Sequence, residues 1–180
     1  MNRLLGLLAA FLVALPLAFS PAHAQSLDPE NTLYLDLTYG RVVIRLRPDL
    51  APKHVAQIKK LAREGFYDGI IFHRVIDGFM AQTGDPTGTG TGGSNEPDLP
   101  AEFSDAHFAR GTLGMARTQD PNSANSQFFI MFADGGFLDG QYTVWGEVVE
   151  GMEFVDKIAK GEPPSNPDKI VKMQVAADAK

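Results

Sequence analysis

A chain of 180 residues, 44% hydrophobic and 21% charged, has room for one ordinary domain and the composition of a globular one. Its formal charge of -6 and isoelectric point near 5.1, with basic residues scattered along the chain, exclude a nucleic-acid ligand and a polybasic membrane patch. The lack of cysteine excludes disulfides, thiolate catalysis and a cysteine-ligated metal.

Residues 1–24 read as an export signal. Arg3 supplies a positive start, residues 4–19 form an apolar run, and Ala22-His23-Ala24 is the small-residue pattern that signal peptidase cuts. Cleavage after Ala24 would leave a mature chain of residues 25–180. An uncut anchor fits less well, because about 16 apolar residues interrupted by Pro16 fall short of the ~20 needed to span a bilayer. The expectation is a periplasmic protein, or a secreted one if the source has a single membrane. No stable membrane association is expected once the signal is removed.

Residues 32–38 alternate, with Leu33, Leu35 and Leu37 on one face; residues 41–47 do the same with Val42, Ile44 and Leu46. The short connection through Gly40 makes the pair a hairpin. A helix follows, with Pro52 in its first turn and a stripe of Val55, Ile58, Leu61 and Ala62. Gly65 stands where helices end, and Lys59, Lys60 and Arg63 complement the dipole. Strand-like runs come next at 70–76, 79–82, 112–116, 127–132 and 144–149. A second helix is predicted over 151–160, with Met152, Val155 and Ile158 inward, and a last strand over 170–175. Many short strands and only two helices predict a mainly β fold, a closed barrel or a sandwich; the helices would cover the open ends of a barrel. Residues 84–98 and 117–126 form irregular stretches of a length that usually carries function or motion.

Several motifs carry no chemistry on inspection. Gly88, Gly90 and Gly93 match a dinucleotide-binding spacing, but Pro97 and Pro100 follow where that motif needs a helix. The segment reads instead as a flexible glycine loop. His54, His73 and His107 stand far apart, without metal-ligand spacing, and no serine sits in a nucleophile elbow. The informative segments are two. In 72–85, alternation puts Phe72, Arg74 and Ile76 on one face, followed at once by Phe79, Met80 and Gln82. In 127–132, Phe128, Ile130 and Phe132 share one face, while Gln127, Phe129 and Met131 share the other.

The runs FHRVIDGFMAQTGD, GMARTQDPNSANSQFFI and FLDGQYTVWGEVVEGM resemble, in order, the signature blocks of the cyclophilin family of peptidyl-prolyl cis-trans isomerases. The similarity extends over residues 32–175. It implies eight antiparallel strands closed into a barrel, capped by two helices, with an active site on the outer face. By resemblance, Arg74 is the catalytic arginine and Gln82 positions it and the substrate. Phe79, Met80, Phe129 and Leu138 would line the pocket for the proline ring. Ala116 and Arg117 fall where the family's backbone holds the residue before proline, and Gln127 is a further polar contact. Phe137 stands where many members have Trp, the residue linked to tight cyclosporin binding. Tyr142 stands where many have His, and Arg117 replaces the commoner Asn. The implied ligand is a proline-containing polypeptide, with no cofactor, metal or nucleic acid, and the expected state is a monomer. Two other classes compete: a non-enzymatic proline-peptide module or chaperone on the same fold, and a carbohydrate- or small-ligand-binding barrel. The first could dispense with Arg74; the second would expose clustered Trp or Tyr, whereas the chain has one Trp inside a strand-like run.

Overall fold

The computed structural model describes residues 27–180; the expected export signal lies outside them. The first hairpin pairs β1 (Thr32–Leu37) with β2 (Gly40–Leu46), Leu33 opposite Ile44 and Leu35 opposite Val42. All four of these side chains are fully buried. After helix α1 (Pro52–Arg63) come β3 (Arg74–Ile76), β4 (Met80–Thr83), β5 (Thr112–Met115) and β6 (Phe128–Met131). They are followed by β7 (Val144–Glu150), α2 (Met152–Val155) and β8 (Lys172–Val175). The strands form one antiparallel sheet in the order β3-β4-β6-β5-β7-β2-β1-β8.

The sheet curls so far that its two edges meet, though not through a ladder between β3 and β8. The contact lies just upstream of each, where Ile71 bridges Lys169 and the N–H of Phe72 donates to the carbonyl of Asp168 at 2.8 Å. The result is a curled half-barrel pinned at the seam, with the eight strands and two helices expected but not the full closure. Its interior holds Leu33, Leu35, Ile44, Leu113, Ile130 and Trp145. Phe128 meets the Trp145 ring edge-on at 5.3 Å, a favoured geometry for aromatic pairs.

Helix α1 buries the expected stripe of Val55, Ile58, Leu61 and Ala62 and packs on β8. Ala51 offers no side-chain cap at its start. The carboxylate of Glu102 does this from afar, accepting from the N–H groups of Lys53 and His54 and from the His54 ring at 2.7 Å. At the other end the basic residues find carboxylates: Lys59 and Arg63 share Glu30, while Lys60 reaches Glu64 and Glu96.

Two expectations change. The second helix was predicted over 151–160 but stops at Val155. The ammonium of Lys160 takes the carbonyls of Asp156 and Ile158, and Asp168 takes the N–H of Ala159. Groups that a longer helix would have paired internally are therefore satisfied elsewhere. Val155 and Ile158 still reach the core. The strand predicted over 70–76 is also broken. Phe72 pairs with the 168–170 segment, and regular pairing with β4 begins only at Arg74. Phe72 therefore points into the interior with Val75, and Arg74 and Ile76 occupy the outer face without it.

Candidate active site

Strand alternation sorts side chains between two hydrophobic clusters. Val75, Ala81, Leu113, Phe128 and Ile130 point into the barrel; Met80, Phe129 and Met131 point outward and form a second cluster with Phe108, Leu138 and Val144. The two faces read for 127–132 separate in this way. Register does the rest. Arg74 lies opposite Gln82, Gln82 opposite Phe129, and Phe129 opposite Gly114, so one row crosses four strands. Gly114 is needed there, because a methyl group at this position would collide with the rings of Phe129 and Phe108.

Every residue expected at the site except Gln127 lines a single cavity of about 300 Å³ on this face. Phe129 forms its floor, stacked on Phe108 at 5.8 Å and met edge-on by Tyr142 at 5.9 Å. Met80 and Leu138 are buried walls. Phe137 is 64% exposed and belongs to the rim, where it contacts Phe79 at 5.5 Å between ring centres. Arg117 lies over the Tyr142 ring at 4.4 Å and donates to the carbonyls of Thr118 and Gln141. Tyr142 is thus held by a cation–π contact on the pocket wall. Gln127 lines an adjoining cavity of about 510 Å³, to which Gln82, Ala116 and Arg117 also contribute.

Polar groups form a chain along the rim. Arg74 Nη1 faces Gln82 Oε1 at 3.5 Å; Gln82 Nε2 donates to Gln127 Oε1 at 2.9 Å; Gln127 Nε2 donates to the carbonyls of Gly90 and Gly92. Arg74 also gives its Nε–H to Glu162 at 2.8 Å. Sequence reasoning passed over Glu162, which lies 88 positions away and in no motif.

The glycine-rich stretch, expected as a flexible loop, is tied down by hydrogen bonds. It winds around the Asp85 carboxylate, which is buried and accepts from the Thr87 hydroxyl and from the N–H groups of Thr87, Thr89, Gly90 and Gly92. The signal lies in Asp85 standing two residues ahead of a run of Thr and Gly whose N–H groups it can collect. Burial alone would raise the Asp85 pKa, but these hydrogen bonds outweigh it and hold the value down to about 2. A depressed carboxylate stabilises the fold above its unfolded pKa of 3.8, and that contribution is lost as the pH falls toward 2. Asp85→Asn is expected to cost about 2 kcal/mol near neutral pH, from 1.36 kcal/mol per unit. The difference from wild type should close as pH drops from about 4 to 2. Urea unfolding of both proteins across that range would show it; a constant difference would refute it.

His107 secures the far wall. Its Nε2 meets Asp134 and its Nδ1 meets Asp139 at 2.7 Å, on either side of the single turn Gly136–Leu138 that carries Phe137 and Leu138. Hydrogen bonds to Asp139 and Asp134 raise the imidazole pKa. A raised value means that the clamp contributes fully below the unfolded pKa of 6.5 and is lost as pH rises through the folded one. Wild type is expected to melt above His107→Gln at low pH, with the gap closing as pH rises through the raised imidazole pKa. Melting curves that run parallel across pH would disprove this role. Among the described residues, no group of three or more His, Asp or Glu could hold a metal ion, and no helix is long and apolar enough to cross a membrane.

Comparison with known proteins gives the family and the fold. Residues 32–175 match the family described as cyclophilin type peptidyl-prolyl cis-trans isomerase/CLD. A probable peptidyl-prolyl cis-trans isomerase of Brucella suis is 60% identical over 190 aligned positions, covering 97% of this chain and 96% of its own. The crystal structure of cyclophilin AquaCyp293 from Hirschia baltica superposes with a TM-score of 0.80 at 32% identity, over 87% of this chain and 77% of that one. A cyclophilin-type isomerase of Cryptosporidium parvum, crystallised in the presence of the dipeptide Ala-Pro, gives 0.75 at 30% identity, over 80% of this chain and 98% of that one.

Proposed function

The chain belongs to the cyclophilin-type peptidyl-prolyl cis-trans isomerase family, and on that premise we propose that it speeds rotation about X-Pro bonds in client polypeptides, with Arg74 stabilising the twisted transition state. The observation that carries this reading is the row Arg74–Gln82–Phe129 across one cavity, which sets a guanidinium beside an aromatic floor.

The size of the task is set by the amide. Its partial double-bond character makes rotation cost ~18–20 kcal/mol, so the uncatalysed change takes roughly 10–100 s. A rate on the order of 10³ s⁻¹ requires the enzyme to remove about 7 kcal/mol. No bond is made or broken, so neither nucleophile nor proton carrier is required. When the C–N bond twists, conjugation is lost and the prolyl nitrogen regains a lone pair. A guanidinium that donates to that nitrogen favours the twisted form over both planar ground states, which is differential binding of the transition state. Arginine remains charged at every working pH and offers donors in a fixed plane. The Phe129 floor, with Met80, Leu138 and Phe79 around it, would hold the ring still and exclude water, strengthening the charge interaction. Gln82 would aim the guanidinium. The N-terminal apolar run and Ala22-His23-Ala24 support a periplasmic site of action.

The test is an isomerisation assay of the purified protein on several X-Pro peptides. Fast catalysis is the expected outcome. A folded protein inert toward all of them, yet still binding them, would replace this reading with that of a proline-peptide module.

A further inference from the structure

Among the contacts around the proposed catalytic arginine, the shortest comes from outside the signature segments. Arg74 Nε lies 2.8 Å from Glu162 Oε2, whereas the Gln82 contact at Nη1 is 3.5 Å. Charge-assisted hydrogen bonds of the first length fix geometry; contacts of the second length restrain it weakly. Among the described residues Nη2 has no protein partner, so the end of the guanidinium nearest it keeps free donors.

The backbone delivers Glu162 to this place. Val75 and Gly161 form an antiparallel bridge, each N–H donating to the other's carbonyl at 2.8 Å. In such a bridge the residue before one partner lies opposite the residue after the other, which sets Arg74 against Glu162. Gly161 itself takes φ +147°, and a side chain there would meet the Pro164 Cα at 2.6 Å. The loop is thus shaped to bring its next residue beside β3. Both partners are roughly half exposed, 43% for Arg74 and 53% for Glu162, and an exposed ion pair adds little to stability.

We infer that Glu162 is a positioning residue for the isomerisation: its carboxylate grips Arg74 Nε and fixes the plane in which the guanidinium meets the prolyl nitrogen. This rests on the role proposed above for Arg74. A long, exposed arginine otherwise samples many rotamers, and only those with the donors over the cavity are productive. The opposing effect is that a carboxylate also withdraws some of the guanidinium's field from the substrate. The two effects predict opposite signs, so rates decide between them.

The experiment measures kcat and KM for an X-Pro peptide in wild type, Glu162→Gln, Arg74→Lys and the double variant, with thermal melts as controls. Glu162→Gln is expected to lower kcat by about three- to tenfold while KM stays within about twofold. On the Arg74→Lys background, already slow, the second substitution should change nothing, because Lys has no Nε–H fork to orient. An unchanged or higher kcat in Glu162→Gln overturns the inference, as does an equal loss in both backgrounds. If Arg74→Lys alone were as fast as wild type, the proposed role of Arg74 would fall and this inference with it.

Discussion

Arg74→Ala is expected to lower kcat for X-Pro isomerisation by about a hundredfold, and at the least tenfold, with a smaller change in KM. Removing one preorganised donor from a transition-state site typically costs 10²–10³ in rate, about 2.7–4 kcal/mol. Of the ~7 kcal/mol required, the remainder would come from holding the ring in a dry, shaped cavity. The fold should survive the change: Arg74 is half exposed, its ion pair with Glu162 lies at the surface, and its row neighbours Gln82 and Phe129 keep their strand pairing. Circular dichroism and a melting curve would confirm this. Matched rates in the two folded proteins would leave an isomerase whose mechanism lies elsewhere on the surface.

Phe129→Ala is the second large effect, and it strikes stability as well as activity. The ring is 5% exposed, stacks on Phe108, meets Tyr142 edge-on and fills the space that Gly114 leaves open. Truncation of a buried Phe costs about 3–5 kcal/mol, the transfer term plus a cavity that the surroundings only partly fill. Against a typical domain stability of about 5–15 kcal/mol, that is a large share. The cavity would merge with the proposed substrate pocket and admit water where the proline ring should sit. KM should therefore rise together with the loss of stability, unlike the pattern for Arg74→Ala. Guanidinium unfolding and steady-state kinetics read the two separately. A stability loss under about 1 kcal/mol would mean that the ring is not a structural floor.

What the sequence revealed was what local period encodes. The hairpin of β1 and β2, the stripe of α1 and the two-faced character of β6 all follow from spacings of 2 and 3.6 within a single segment. Arg74, Gln82 and Phe129 could be named, but their alignment in one row depends on the registers of two strand pairs, which no segment encodes alone. Alternation along a continuous strand puts Phe72 on the face of Arg74, but the chain changes partner at the barrel seam and Phe72 turns inward. Glu162, Glu102 and Asp85 were passed over for a related reason. Each acts on backbone or side-chain donors supplied by tertiary contact or by loop winding, and a carboxylate in the sequence looks the same whether it faces water or caps a helix.

Strand β6 has neighbours hydrogen-bonded along both edges and apolar side chains buried on both faces. Its amides can reach solvent only if the barrel itself opens, so their deuterium exchange should run at the slow, global limit. The floor of the proposed binding site thus stands on a strand held along both edges, and it is formed before any peptide arrives. Capture then pays little ordering entropy at the floor. Whatever adaptation different client sequences demand falls to side chains at the rim, such as the exposed Phe137, which can turn without moving the sheet.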